Sequence, residues 1–135
     1  MTHIYILLNH SLTERQVAEL RQSYGNDAQL EYPPETIKTF WSQIPVTASL
    51  LKEPMQEIVK WLSRACANDV LLVQGDYGAT FMLVDYALKN GLIALYAVTQ
   101  RVAQEQKNGE QVIRRYVFEH ECFRKYMWFC SKENL

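Results

Sequence analysis

Apolar and polar positions alternate along this chain in blocks whose period switches between that of a strand and that of a helix. "IYILL" at residues 4–8 is an apolar run suited to a buried strand, closed by Asn9, His10 and Ser11. A helix start follows: Thr13 is a good N-cap, Gln16 three residues on completes a capping box, and Leu12 is placed to staple onto Val17. Val17, Leu20 and Tyr24 form its apolar face, and Gly25 stops it. "QLEYPP" predicts a brief second strand broken by Pro33 and Pro34, with Pro34 opening a short helix through "ETIKTFW". Leu51, Met55, Ile58, Leu62 and Cys66 fall at spacings of three and four, which predicts a helix over roughly residues 48–66. Pro54 belongs in its first turn, or the helix starts later. A third strand, Asp69 to Gln74, runs into "GDYG". Helical spacing then resumes through Leu83, Tyr86, Ala87 and Asn90 and ends at Gly91. "LIALYAVT" reads as a fourth strand. Beyond it the chain predicts an extended hairpin: "AVTQRVAQEQ", a turn at "KNGE" containing Asn108-Gly109, and "QVIRRYVFEHECFRKY" returning.

Strands alternating with helices predict an α/β fold, a mostly parallel sheet flanked by helices with a C-terminal β-hairpin, in one domain spanning residues 1–135. In such sheets ligands lie outside the carboxyl ends of the strands, at a switch in strand order. Three of those ends carry polar clusters: Asn9-His10-Ser11, Gln74-Gly75-Asp76-Tyr77-Gly78 with Thr80 just beyond, and Thr99-Gln100-Arg101. They are expected to share one edge of the sheet.

The middle cluster is the most telling. Glycines opening a helix let backbone amides approach a phosphate, and the helix N-terminus adds partial positive charge. "GDYG" is neither the dinucleotide fingerprint nor a P-loop with its Lys. Asp76 has three readings: helix cap, acceptor for a ribose hydroxyl or adenine amine, or general base. His10 places at a strand end the side chain most used for acid–base chemistry, whereas Ser11 beside it forms no nucleophile elbow. Arg101 and Arg124 are the best anion partners, because guanidinium matches phosphate bidentately. Arg114, Arg115 and Lys125 read as a solvated hairpin face, and His120 as an internal satisfied histidine or a catalytic one. The aromatic tail "KYMWFC" is expected to pack on the core or on a second subunit.

A net charge of −1 leaves no broad basic surface for duplex DNA or RNA. No stretch approaches the roughly 18 apolar residues of a membrane span, and the N-terminal segment lacks a basic n-region. The expectation is a soluble cytoplasmic protein. Cys66, Cys122 and Cys130 form no C-x-x-C pair, so they read as reduced packing residues, with neither a disulfide framework nor a metal site expected.

"LLNHSLTERQ", "VLLVQGDYGATFMLVDYAL", "GLIALYAVTQRVA" and "VFEHECFRKY", in that order, resemble the small stand-alone CRISPR-associated proteins of type III systems grouped among the ring nucleases. The similarity runs from about Ile4 to Tyr126. It implies a minimal Rossmann-like domain related to the CARF fold, a homodimer, and a cyclic oligoadenylate ligand, most often the four-nucleotide ring. A ring with two-fold symmetry suits a dimer axis, where strand-end clusters are presented twice.

The resemblance also implies chemistry without metal or cofactor. A ribose 2′-hydroxyl attacks the adjacent phosphorus in line and leaves a 2′,3′-cyclic phosphate, which switches off type III antiviral signalling. Arg101, with Arg124, would stabilise the phosphorane, while His10 or Asp76 would orient or deprotonate the hydroxyl. Asn9, Ser11, Gln74, Gly75, Tyr77, Gly78, Thr80 and Thr99 would contact the ligand. The alternative is a sensor or sponge that holds the ring without cutting it, and an unrelated nucleotide enzyme on the same fold also stays open.

Overall fold

The computed structural model describes residues 1–47, 49 and 51–129. Five strands and four helices are built from them: β1 (His3–Leu7), α1 (Glu14–Tyr24), β2 (Gln29–Glu31), α2 (Glu35–Ser42), α3 (Lys52–Leu62), β3 (Val70–Val73), α4 (Tyr77–Lys89), β4 (Ile93–Asn108) and β5 (Gln111–Lys125). They form an α/β fold around a single sheet of order β2-β1-β3-β4-β5. The first four strands are parallel, and β5 returns antiparallel to β4.

Side-chain alternation splits the core in two. Tyr5, Leu7, Leu71, Val73 and Ala94 face α2, α3 and α4, where Trp41, Ile58, Leu62 and Leu83 close over them. Ile4, Ile6, Val70, Leu72 and Leu95 face α1 and its Leu20. β1 and β3 are buried on both faces, which is why each reads as a continuous apolar run.

The capping box at α1 forms as expected: Thr13 Oγ1 accepts from the Gln16 amide at 3.1 Å, and Gln16 Oε1 accepts from the Thr13 amide at 3.0 Å. The predicted 48–66 helix is shorter. Lys52 opens α3 and Pro54 sits in its first turn, where the missing N–H costs nothing. Residues 48 and 50 lie outside the described part. Leu51 is the exposed N-cap, and Cys66 lies past the helix end in a turn tied by Asp69, whose Oδ2 accepts from the Cys66 amide at 2.9 Å. Cys66 and Cys122 are both exposed, so the expectation of packing cysteines fails for these two. Cys130 lies outside the described residues.

The expected C-terminal hairpin forms: β4 runs without a break from Ile93 to Asn108, joining the fourth strand to the first strand of the hairpin, and β5 returns antiparallel beside it. Past the carboxyl end of β3 the pair continues alone as an arm of ten residues per strand, roughly 30 Å long. One bulge interrupts it: Val98 pairs with Cys122 and Thr99 with His120, leaving Glu121 over. The tip turns through Gly109 and Glu110, with Gly109 at φ +66°, one residue later than an Asn-Gly centre would place it.

Candidate functional site

The direction of winding changes between β1 and β3. The chain leaves β1 for β2 on one side, and β3 for β4 on the other, so their carboxyl ends flank the switch point. The Gln74 amide donates to the Leu7 carbonyl at 3.2 Å, which sets the two end clusters side by side. Two of the three expected clusters therefore converge. The third does not, because Thr99 and Arg101 lie inside β4, in the arm.

The hinge after β3 is rigid for reasons that can be traced atom by atom. Gln74 stands where β3 stops and β4 continues, and its side chain replaces the missing strand: Oε1 accepts from the Ala97 amide at 2.9 Å, with Nε2 3.5 Å from the Ala97 carbonyl. Gln74 thereby braces β4 and also lines a cleft at the hinge. Trp41 Nε1 donates to the Gln74 carbonyl at 2.9 Å, and its indole lies against Gly75. Asp76 caps α4, its Oδ1 accepting from the Ala79 amide at 2.9 Å. Of its three readings, the cap is the one realised. The amides of Tyr77 and Gly78, at the first two helical positions, are among those a helix start leaves open.

A cleft of about 370 Å³ lies against this hinge, lined by Gln74, Gly75, Tyr77, Thr80, Phe81, Val84 and Tyr126. Its size is that of a small-ligand site. Tyr77 is 95% exposed and Phe81, four residues on along the same helix face, 70%. Thr80 Oγ1 is buried with no hydrogen-bond partner among the described residues. Tyr126 forms the far wall, fixed by its hydroxyl donating to the Val73 carbonyl at 2.9 Å, and burial pushes its phenol pKa above the usual tyrosine value, with Tyr96 adding to the effect. Behind it, Tyr96 packs on Tyr126 with ring centroids 4.7 Å apart and accepts from Arg124 Nη1 at 2.9 Å. Arg124 is thus placed one aromatic layer behind the cleft.

A second cleft, of about 480 Å³, opens at the end of β1, where Asn9, His10 and Ser11 meet Tyr32, Glu35 and Lys38. His10 is exposed, and its Nδ1 lies 3.2 Å from the Ser11 carbonyl. Lys38 was not expected here. Its position on α2, one turn after Glu35, carries no signal until β2 is placed beside β1.

Arg101 and Arg124 lie on opposite faces of the sheet. Strand alternation puts Tyr96 and Arg124 on the α4 side and Thr99, Arg101 and His120 on the α1 side. Arg101 lies over the Tyr116 ring at 3.7 Å from its centroid. His120 is buried, and its surroundings settle its form. Gln16 uses its oxygen on Thr13, so it offers an N–H to His120 Nδ1 at 3.3 Å, and His120 Nε2–H donates to Glu19 Oε2 at 2.5 Å. The internal reading of His120 is the one realised. Among the described residues no group of three or more His, Cys, Asp or Glu is arranged to hold a metal ion, and no helix is long and apolar enough to cross a membrane.

Residues 2–124 match the model of the family described as "Uncharacterized protein MJ1673 family". The chain belongs to this family. A relative in Methanocaldococcus jannaschii, "Uncharacterized protein MJ1673", is 32% identical over 127 residues, covering 93% of this chain and 98% of the relative. No solved structure matches the chain. The MJ1673 family match spans both strand-end clusters, the hinge and the arm, and it ends before Tyr126.

Proposed function

We propose that the chain binds a cyclic oligoadenylate, most often the four-nucleotide ring, and cleaves it by attack of a ribose 2′-hydroxyl on the adjacent phosphorus. This reading includes a minimal CARF-like, Rossmann-like domain working as a homodimer and ending type III CRISPR signalling. The observation that carries it is the hinge cleft: exposed aromatic rings on the first turns of α4, open helix-start amides, and a buried Thr80 hydroxyl with no partner among the described residues. Rings of Tyr77 and Phe81 suit stacked bases, which every adenylate offers. Open amides and the helix dipole suit a phosphate. The low net charge fits a small anion held by local groups.

Arg124, one aromatic layer behind the cleft, is the cation assigned to the hinge side; its exposed side chain would have to swing past Tyr96 to stabilise charge on the phosphorane. His10, exposed at the neighbouring strand end, is the assigned proton acceptor. Asp76 contributes by fixing the first turn. A second reading, capture without cleavage, is favoured by one observation: the Asp76 carboxylate is engaged as a cap and Arg101 is stacked in the arm, which thins the catalytic set.

The test is incubation of purified protein with cyclic tri-, tetra- and hexa-adenylate in EDTA, followed by chromatography and mass analysis. Linear products ending in 2′,3′-cyclic phosphate are expected, with Tyr77→Ala weakening binding by about 1–3 kcal/mol and Arg124→Ala lowering cleavage more than binding. An intact ring co-eluting with the protein selects capture, and a protein that ignores all three rings overturns both readings.

A further inference from the structure

Beyond the bulge, the arm has solvent on both faces. Val112, Tyr116 and Phe118 are exposed on one, Ile113 and Val117 on the other. A lone two-stranded ribbon is marginal in water, and a third strand changes that. The outer edge of β5 from Gln111 to Glu119 contains no Pro, and its charged residues, Arg114, Arg115 and Glu119, are of both signs, so a partner strand can match them rather than be repelled.

Which backbone groups face outward follows from the root of the arm. Ala97 turns its N–H and C=O toward Gln74, so alternation aims Val98, Gln100, Val102 and Gln104 at β5. Past the bulge their partners are Glu119, Val117 and Arg115, whose backbone groups are consumed. The free ones belong to Val112, Arg114, Tyr116 and Phe118.

Charge decides what this edge fits. Glu105 pairs with Arg114 across the arm at 3.1 Å. Arg115 faces Gln104 and Glu119 faces Gln100, and among the described residues neither has an ion-pair partner. We propose that β5 is a dimerisation edge, pairing antiparallel with β5 of a second copy about a two-fold axis at Val117. In that register Arg115 stands opposite Glu119 twice, Tyr116 opposite Phe118 twice, and Val117 opposite itself. Tyr116 and Phe118 then exchange the free backbone bonds. Shifting the axis to Arg115 sets that arginine against its own copy, and to Phe118 it sets Val117 against Glu119. The result is a four-stranded ribbon crossing both subunits. The pairing needs no ligand, so it stands even if the chain binds no adenylate.

Two measurements on the full chain test it. Wild type is expected to be a dimer by light scattering. Arg115→Glu and Glu119→Arg should each weaken dimerisation on the order of tenfold by opposing like charges at two symmetric places, and the double swap R115E/E119R should restore it. Val117→Cys should form a disulfide-linked dimer under mild oxidant, well above the background of the native cysteines, because a non-hydrogen-bonded pair brings Cα atoms to about 4.5 Å. Arg115→Cys, two rows from the axis, should not. A wild-type monomer, a double swap that fails to recover, or an unlinked V117C in a protein that is dimeric would each overturn the proposal.

Discussion

A methyl group on Gly75 would sit 2.8 Å from three ring atoms of Trp41, closer than carbon atoms tolerate. The glycine is therefore demanded by an indole that closes the core under the hinge and holds the Gln74 carbonyl. Gly75→Ala is expected to cost about 1–3 kcal/mol, since Trp41 is buried and has nowhere to retreat; urea unfolding measures it, and an unchanged midpoint contradicts the packing. The importance of Gly75 is legible in the sequence, but its cause is not. A glycine beside "DYG" reads as a flexible phosphate loop, and nothing in the local pattern points to a tryptophan on α2. Gln74 is similar: its strand-end position is legible, but its bracing of Ala97 is not, because that depends on β4 outrunning β3.

At the scale of elements, α1 shows how much a short pattern can carry. Thr13 and Gln16 announce the helix start, and the box forms with both bonds present. Gln16 has a second task that spacing cannot reveal, because His120 arrives from the far end of the chain. The two residues are accordingly expected to differ in cost. Thr13→Ala should destabilise by about 1 kcal/mol, the usual loss of a cap. Gln16→Leu should cost more, about 1–3 kcal/mol, because it leaves buried His120 Nδ1 without a donor as well as undoing the cap. Equal effects in thermal melts would argue against the link between α1 and β5. The C-terminal hairpin was legible as well: "AVTQRVAQEQ" and the returning segment pair across the turn at Gly109, and what spacing does not show is that the first of them continues the fourth strand without a break.

Across the whole molecule, tyrosines sit in both halves of the core. Tyr5 and Tyr126 lie with α2, α3 and α4, Tyr24 with α1, and burial raises the pKa of all three. The unfolded chain then loses phenolic protons first. Stability is whole below the ordinary tyrosine value near 10 and falls as the pH rises through the raised folded values. Urea midpoints taken from about pH 8 to about pH 11 should decline above 10, with a gentler slope in Tyr126→Phe. A flat profile would mean that these hydroxyls reach solvent. The sheet order, by contrast, was only partly legible: alternating strands and helices predict parallel pairing, but which strands become neighbours depends on helix packing over both faces.

The two ways in which strands meet in this sheet have a consequence in time. β4 and β5 are joined by a two-residue turn, so their pairing closes a minimal loop, while β1 and β3 meet only after Ile4 finds Val70 across the intervening helices. Loop-closure cost favours the hairpin by orders of magnitude in rate. When the full chain refolds, the arm is therefore the pairing expected to close fastest, forming and opening as a marginal ribbon with its β5 edge exposed before the domain behind it is complete. In refolding of the full chain, two copies that pair as proposed would meet first through that edge.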